Sequence, residues 1–149
     1  MRLSTSRARR RVLTSLTVAD VMIRVPKVVT TQATIGDLRS FFDDEHVHMA
    51  LIVEDGVLRG TVVRADVPLA LGEETPALAV SRLHGRVVAA HTSAEAARRG
   101  MIECGERRLA VVDTDGRLEG LLCLKRRLSG FCSDTDVNER SHTRWETSS

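Results

Sequence analysis

The chain contains the same sequence pattern twice, about sixty residues apart. Residues 49–60 read MALIVEDGVLRG and align with residues 109–120, which read LAVVDTDGRLEG. Each segment has an apolar run, an Asp-Gly pair and a closing glycine, Gly60 or Gly120. A supersecondary unit that recurs at a fixed period buries its apolar face against its neighbours. We therefore expect two copies of one unit that share a core.

Length and composition are those of an ordinary globular chain. The 149 residues are 42% hydrophobic and 28% charged, which is typical of one compact domain or of two half-domains with a common core. No apolar stretch approaches the roughly 20 residues that a membrane-spanning helix needs. We therefore expect a soluble, cytoplasmic protein without a membrane partner.

The two ends of the chain differ in composition from its middle. Five arginines precede the first acidic residue, Asp20, although the net charge is only +2. Segment 1–15 is expected to be a solvated basic tail, with a targeting segment or a nucleic-acid-binding arm as alternatives. The polar segment 133–149, which contains Trp145, is expected to fray or to wrap on a neighbouring molecule.

The candidate metal ligands lack a metal-binding pattern. Cys104, Cys123 and Cys132 are odd in number and have no zinc-like spacing. They are expected to be buried free thiols in a reducing compartment. His46 and His48 lie two residues apart without a supporting carboxylate or cysteine at a known spacing. We therefore expect no metal site.

Local patterns predict the same elements in each copy. Thr34, with Asp37 three residues on, is expected to cap a helix, and Gly105 suits the left-handed residue after a helix. Continuous apolar runs next to Asp-Gly turns indicate strands. The first copy has predicted strands at 28–30, 49–53 and 57–63. Its last helix is expected to start near Asp66 and to include Leu69. The second copy has predicted strands at 87–90, 109–112 and 118–123, a helix capped by Ser93 and a last helix at 125–128.

These elements divide the chain between the tails into two repeats. The first is expected to span 16–71 and the second 77–132. Residues 72–76, Gly-Glu-Glu-Thr-Pro, have the composition of a linker. A one-residue insertion near Gly105 is expected to change the spacing of the copies from 59 to 60.

The order of these motifs resembles that of CBS domains, and the pair resembles a Bateman module. The resemblance rests on Val18-Ala19-Asp20-Val21-Met22 before the first strand, the two Asp-Gly hairpins, the two closing glycines, and Arg64-Ala65-Asp66. It implies an α+β fold in which two β-α-β-β-α repeats pack as a pseudo-twofold pair. We expect a stand-alone protein of this family.

The resemblance implies regulation rather than catalysis. Proteins of this family usually dimerise and bind AMP, ADP, ATP or an S-adenosyl ligand in the clefts between repeats. We therefore expect a homodimer that requires no cofactor, is not an enzyme, and passes ligand occupancy to an unidentified protein partner. No nucleophile-base pair, metal cluster or glycine-rich phosphate loop is recognisable in the sequence.

The family pattern suggests ligand-binding residues in the first repeat. Asp66 stands at the position that binds ribose, and Arg64 could reach a phosphate. Val63 replaces the usual hydroxyl residue, which removes one hydrogen bond worth roughly 0.5–1.5 kcal/mol. Val28 and Ala50 are expected to line the base. The alternative is that Asp66 only caps the last helix.

The second repeat departs further from the family pattern. Cys123 stands at the hydroxyl position and Arg126 replaces the acid. A guanidinium has no acceptor for a ribose hydroxyl. Residues 125–127, Lys-Arg-Arg, could hold phosphate or form a solvated basic face. If only one cleft binds nucleotide, we expect it to be the cleft that contains Asp66.

Two further functions compete with ligand sensing. Loss of the family residues at Val63, Cys123 and Arg126 is what a ligand-free dimerisation or docking scaffold predicts. The basic N-terminus could bind nucleic acid. That function is not expected, because the chain has no Tyr, three Phe and one Trp for base stacking.

Overall fold

The computed structural model describes residues 16–125 and 130–132 and shows the same element order twice. In the first half, helix α1 (Val18–Val21) precedes strand β1 (Val28–Thr30), helix α2 (Ile35–Phe41) and strands β2 (Met49–Glu54) and β3 (Val57–Val63). In the second, a 3-10 helix (Ala77–Val80) precedes β4 (Val87–Ala89), α3 (Ala94–Cys104), β5 (Arg108–Val112) and β6 (Leu118–Cys123). The predicted α+β class is confirmed.

The last helix of the first repeat, predicted to begin near Asp66 and to include Leu69, is wrong in position. Only one 3-10 turn, Arg64–Asp66, follows β3, and Leu69 is 98% exposed. Pro68 explains the early end, because a proline disfavours helical geometry in the residue before it. The corresponding helix at 126–128 lies outside the described residues, as do both tails with Trp145. Within residues 16–125 and 130–132, no helix is long and apolar enough to cross a membrane.

The predicted helix caps are present. Thr34 Oγ1 accepts a hydrogen bond from Asp37 N–H at 3.2 Å, and Asp37 Oδ2 accepts one from Thr34 N–H at 2.9 Å. Ser93 Oγ accepts a bond from Ala96 N–H at 3.3 Å. Gly105 has a φ of 70°, a backbone conformation that glycine adopts without a steric cost. These local signals therefore position α2 and α3 as expected.

Each repeat forms a three-stranded sheet. The strand registers show that the extra residue of the second repeat lies at a different place from the one predicted. Ile52 lies opposite Gly60, and Val111 lies opposite Gly120. The middle strands thus correspond at a spacing of 59 and the last strands at 60. The extra residue lies in the second hairpin turn, and the prediction that it lies near Gly105 is wrong.

This register places two aligned alanines on opposite faces. Ala50 and Ala110 match in the sequence alignment, but β1 and β4 pair with Leu51 and Ala110 at equivalent positions. A shift of one residue reverses the face of every side chain in a strand. Ala50 accordingly packs in the core beneath α2. Ala110 packs with Leu51 in the core between the two sheets.

Each repeat is completed by the segment that precedes the other one. Helix α1 lies on the second repeat, and just after it Ile23 and Leu121 exchange two backbone hydrogen bonds of 2.7 and 2.9 Å. The equivalent pair, Arg82 and Thr61, exchanges two bonds of 2.9 Å on the first repeat. This reciprocal exchange joins the repeats as a pseudo-twofold pair.

The closing glycines permit this close approach. A Cβ atom on Gly120 would lie 2.6 Å from the carbonyl oxygen of Ile23. A Cβ atom on Gly60 would lie 2.5 Å from Ser81 Cβ. The glycine that ends each repeated motif is therefore needed where the opposite lead-in segment crosses the sheet.

The two hairpins also meet across the pseudo-twofold axis. Leu58 N–H donates to the carbonyl of Gly116, and Leu118 N–H donates to that of Gly56, both at 2.9 Å. Beneath these contacts, a buried cluster joins the two sheets, with Met49, Leu51, Leu58 and Ala110 as its buried members. The repeats therefore share a core, as the duplication predicts.

Candidate functional site

A cavity of about 130 Å³ lies between the two repeats. The first repeat contributes the segment before β1, the end of α2 and the start of β2, whereas the second contributes β5 and β6. Most of the wall is apolar. Its lining residues are Ile23, Val25, Pro26, Lys27, Phe41, Asp44, His46, Val47, His48, Met49, Arg108, Leu121 and Cys123.

Arg108 supplies a cation to this cavity that lacks a matching carboxylate. Its side chain is partly buried, and no carboxylate in the described part of the chain forms an ion pair with it. Burial lowers the pKa of Arg108, the neighbouring Cys123 opposes that effect, and Arg107 adds to it. Lys27 Nζ lies 3.7 Å from Asp44 Oδ2. The cavity therefore offers a partly desolvated positive charge to an anion.

His48 is neutral at pH 7 in this environment. Burial, followed by the charges of Arg108, Arg64 and Arg107, lowers the pKa of His48 to about 4. Protonation would add another cation to a site that is already basic. Neither His48 nor His46 belongs to a metal-ligand cluster of three or more groups within the described residues.

Asp66 lies in the pseudo-twofold counterpart of this cavity, and it is paired. Lys27 and Arg86 each immediately precede the first strand of a repeat. Lys27 lines the cavity, whereas Arg86 Nη1 and Nη2 bind the two carboxylate oxygens of Asp66, the second at 3.1 Å. The two side chains are only 9% and 6% exposed. Asp66 therefore already holds a cation inside the protein.

The same carboxylate caps the turn after β3. Asp66 Oδ2 accepts a hydrogen bond from Val63 N–H at 2.9 Å. Burial acts to raise the pKa of Asp66, but the bonds from Arg86 and Val63 outweigh it and leave the pKa below its ordinary value of 3.8. Asp66 thus caps this turn as its third residue, with Val63 at the N-cap position, instead of acting only as the N-cap itself. A ribose contact stays a prediction.

Comparisons with known proteins agree with this geometry. A family sequence model described as the CBS domain matches residues 18–73. Residues 18–73 are a CBS domain. A crystal structure of CBSX2 in complex with AMP is 25% identical, with a TM-score of 0.64 over 86% of this chain and 97% of that one. No curated protein sequence matches the chain.

Two structures of lower sequence identity share the fold of this CBS pair. The cystathionine β-synthase pair domain of a Mg²⁺ transporter homologue from Shewanella oneidensis is 20% identical, with a TM-score of 0.66 over 90% of this chain and 79% of that one. The cytosolic domain of the Mg²⁺ channel MgtE, in complex with ATP, is 22% identical, with a TM-score of 0.62 over 80% and 52%. CBS domains are in general regulatory, non-catalytic modules.

Arg64 of the CBS pair is occupied by backbone carbonyls. Its guanidinium donates to the carbonyl oxygens of Phe42, Asp44 and Val47 at 2.5, 2.8 and 2.9 Å. It also lies over the Phe42 ring, 5.4 Å from the ring centre. These contacts close the carboxyl end of α2. A phosphate contact by Arg64 stays a prediction, and it would have to use the guanidinium donors that these three bonds leave over.

The predicted base-lining residues do not come together. Val28 is 49% exposed at the sheet edge, and Val63 lies partly buried against the core between the sheets. Ala50 is fully buried beneath α2, so it does not line an open cleft. Its neighbour Met49 lines the cavity instead, because the register directs alternate residues to opposite faces.

The sequence-based prediction missed Arg86 and Arg108. Arg108 carried a detectable signal, since it is a charged residue at the start of an otherwise apolar strand. The pairing of Arg86 with Asp66 had no signal in the spacing, because the two residues meet only when the lead-in segment of one repeat crosses the other.

The cysteines divide into one exposed residue and one buried pair. Cys123 and Cys132 are 5% and 3% exposed, whereas Cys104 is exposed. The prediction that all three are buried is wrong for Cys104. It is the last residue of α3, and the side chains that bury this helix lie earlier, at Ala97 and Met101.

Proposed function

We propose that this CBS pair is a regulatory module that binds an adenosine-containing ligand, such as AMP, ADP, ATP or an S-adenosyl compound, in the cavity between its repeats. The base would contact the apolar wall, and the phosphate or other anionic group would bind Arg108. Ligand occupancy would favour one arrangement of the repeats and pass to a protein partner by differential binding. A cytoplasmic homodimer is the expected form.

The charge of Arg108, which no carboxylate among the described residues neutralises, is the observation that carries this proposal. Holding a cation away from water without a partner carries a free-energy cost. An anionic ligand removes that cost and gains charge-assisted hydrogen bonds. The AMP complex of CBSX2, which is similar over most of both chains, supports a nucleotide as that anion.

The size of the cavity limits how a nucleotide would enter. Small-molecule pockets commonly have volumes of roughly 300–1,000 Å³, whereas this cavity measures about 130 Å³. A whole nucleotide therefore requires the two repeats to separate slightly, or leaves part of the ligand at the open rim. Either way, binding is coupled to the relative position of the repeats, which is what a regulatory module needs.

Thermal unfolding with AMP, ADP, ATP and an S-adenosyl compound tests the proposal. A ligand at about 100 times its Kd should add about 2.7 kcal/mol to the free energy of unfolding. Arg108→Gln should reduce that gain, because a hydrogen bond to a charged group contributes about 1.5–3 kcal/mol. Arg99→Gln is the matched control, since Arg99 is exposed on α3 and lies outside the cavity.

The ligand-free scaffold is supported by one contact, the Asp66–Arg86 pair, which occupies the acid that the family pattern assigns to ribose. The two functions give different results. Absence of a stability gain with every ligand at millimolar concentration would favour the scaffold. A gain that Asp66→Asn abolishes and Arg108→Gln leaves intact would move the site to the Asp66 cleft.

A further inference from the structure

Two thiols meet at the wall of the cavity. Cys123 Sγ and Cys132 Sγ lie 2.9 Å apart, and both side chains are buried. They pack with Ile23 in a small apolar cluster. Ligand binding by Arg108 does not use this pair.

The backbone holds the two cysteines directly opposite each other. Residues 123–125 run antiparallel to 130–132 through a bridge between Leu124 and Phe131. Cys132 N–H donates to the carbonyl of Cys123 at 2.7 Å. Residues that face each other at such a hydrogen-bonded position have Cα atoms about 5.5 Å apart, within the roughly 4.4–6.8 Å that a disulfide spans. Because an S–S bond measures about 2.05 Å, closure requires the sulfurs to move by less than about 1 Å.

We propose that Cys123 and Cys132 are a site of reversible oxidation, at which a small hydroperoxide converts the two thiols into a disulfide. The thiolate of one cysteine attacks a peroxide oxygen, which breaks the O–O bond and gives a sulfenic acid and hydroxide. The second thiol then attacks that sulfur and releases water. The proton lost by the first thiol converts the hydroxide into water. Overall, two thiols lose two protons and two electrons, and hydrogen peroxide becomes two waters.

Access and reactivity set the rate of this reaction. Cys123 lines the cavity, so a molecule of the size of hydrogen peroxide can approach it from there. Burial raises the pKa of the Cys123 thiol to about 11, although Arg108 acts in the opposite direction. The thiolate is therefore scarce at pH 7, and the first step is slow. The second step is fast, because the partner thiol is held in contact.

The disulfide would join residue 132 covalently to β6 beside the cavity. Cytosolic disulfides are usually transient and redox-sensing, which agrees with a pair that is reduced until a peroxide is present. The inference rests on the two sulfurs and their backbone, and it holds whether or not a nucleotide binds.

Intact-protein mass spectrometry of the full chain tests this site. The folded protein is treated with hydrogen peroxide, the remaining thiols are alkylated after unfolding, and the peptides are mapped. We expect a mass decrease of about 2 Da from the two lost hydrogens, a linked peptide that joins Cys123 to Cys132, and reversal by dithiothreitol. Cys104→Ser should behave identically, since it leaves the pair unchanged.

Three results would overturn the inference. The first is full alkylation of Cys123 and Cys132 after peroxide treatment. The second is oxidation to sulfinic or sulfonic acid without a linked peptide. The third is a linkage that involves Cys104 and disappears in Cys104→Ser. Because the Cys104→Ser protein keeps both buried cysteines, the test does not depend on a core variant that fails to fold.

Discussion

Removing Arg86 should destabilise the protein far more than removing an exposed arginine. Arg86→Met would leave the Asp66 carboxylate, whose side chain is only 6% exposed, without its bidentate partner. Removing one member of a buried ion pair costs about 3–5 kcal/mol. The Val63 N–H bond to Asp66 remains, and the exposed Arg82 lies 4.0 Å away. Both place the expected loss at the lower end, about 3 kcal/mol.

Urea unfolding at pH 7, followed by circular dichroism, measures this loss. Arg59→Met is the matched control, because Arg59 pairs with Glu54 at 3.3 Å and both side chains are about half exposed. An exposed pair of this kind contributes about 0–1 kcal/mol. The two variants remove the same chemical group, so the difference between them isolates burial of the ion pair.

Acid should reduce the deficit of Arg86→Met. In the wild type the pKa of Asp66 is below 3.8, so its contribution is present above that value and is lost as the pH falls through the lower native pKa. Burial is already the largest single influence on the pKa of Asp66. Without Arg86 it is opposed only by the Val63 bond and Arg82, so the pKa of Asp66 rises. Protonation then stabilises the variant, and the difference in free energy between the two proteins narrows from pH 7 to pH 3.

Two results would refute this reasoning. One is a loss at pH 7 no larger than that of Arg59→Met. The other is a deficit that stays constant or widens as the pH falls. Either would mean that Asp66 is solvated in the native protein and that Arg86 does not close this cleft.

Two further substitutions test the framework of the site. Arg64→Met should lower the free energy of unfolding by about 1.5–3 kcal/mol, because three carbonyl oxygens lose their hydrogen bonds to a charged group. The same loss is expected with AMP at saturation. A lower affinity of Arg64→Met for AMP would instead favour a phosphate contact. Gly120→Ala should cost about 1–3 kcal/mol, since its Cβ would meet the Ile23 carbonyl. Gly100→Ala is the control, because a Cβ atom at Gly100 would meet open space; it should stabilise α3 by about 0.5–1 kcal/mol. Equal effects of the two substitutions on urea unfolding would contradict the close approach of Ile23 to Gly120.

The duplicated pattern was sufficient to predict the architecture. Asp-Gly turns, apolar runs and the caps at Thr34 and Ser93 act over a few residues, so they can be recognised without knowledge of distant contacts. The strands they bound occur nearly where they were expected. The closing glycines were visible in the sequence, but the reason for them was not, because the segments that cross them come from the opposite repeat.

The register of the second repeat could not be predicted as reliably. An apolar run of five residues remains apolar when it is shifted by one residue. The sequence alignment of the two copies could therefore match Ala50 with Ala110 although these residues are not structurally equivalent. In the structure, Leu51 and Ala110 are the equivalent residues, because each lies opposite the first residue of the neighbouring strand in its own sheet. The family pattern suggested Ala50 as a ligand contact, whereas its side chain packs in the core beneath α2.

The difference between the two clefts also depends on contacts that spacing does not reveal. Retention of the acid at Asp66 suggested that its cleft binds ligand. In the structure, that acid binds Arg86. In the other cleft Lys27 pairs with Asp44, and a cavity is present. Asp66, which the family pattern assigns to ligand binding, therefore forms an ion pair with Arg86 of the same chain.

Calorimetric titration of AMP into the wild type and Arg108→Gln tests the central claim most directly. The account predicts saturable binding that is about 10- to 100-fold weaker in Arg108→Gln, from the loss of a charged hydrogen bond. Without ligand the variant should be at least as stable as the wild type, because it no longer holds a partly buried cation that no described carboxylate neutralises. Equal affinity of the two proteins for AMP, or binding that depends on Asp66 alone, would contradict the claim.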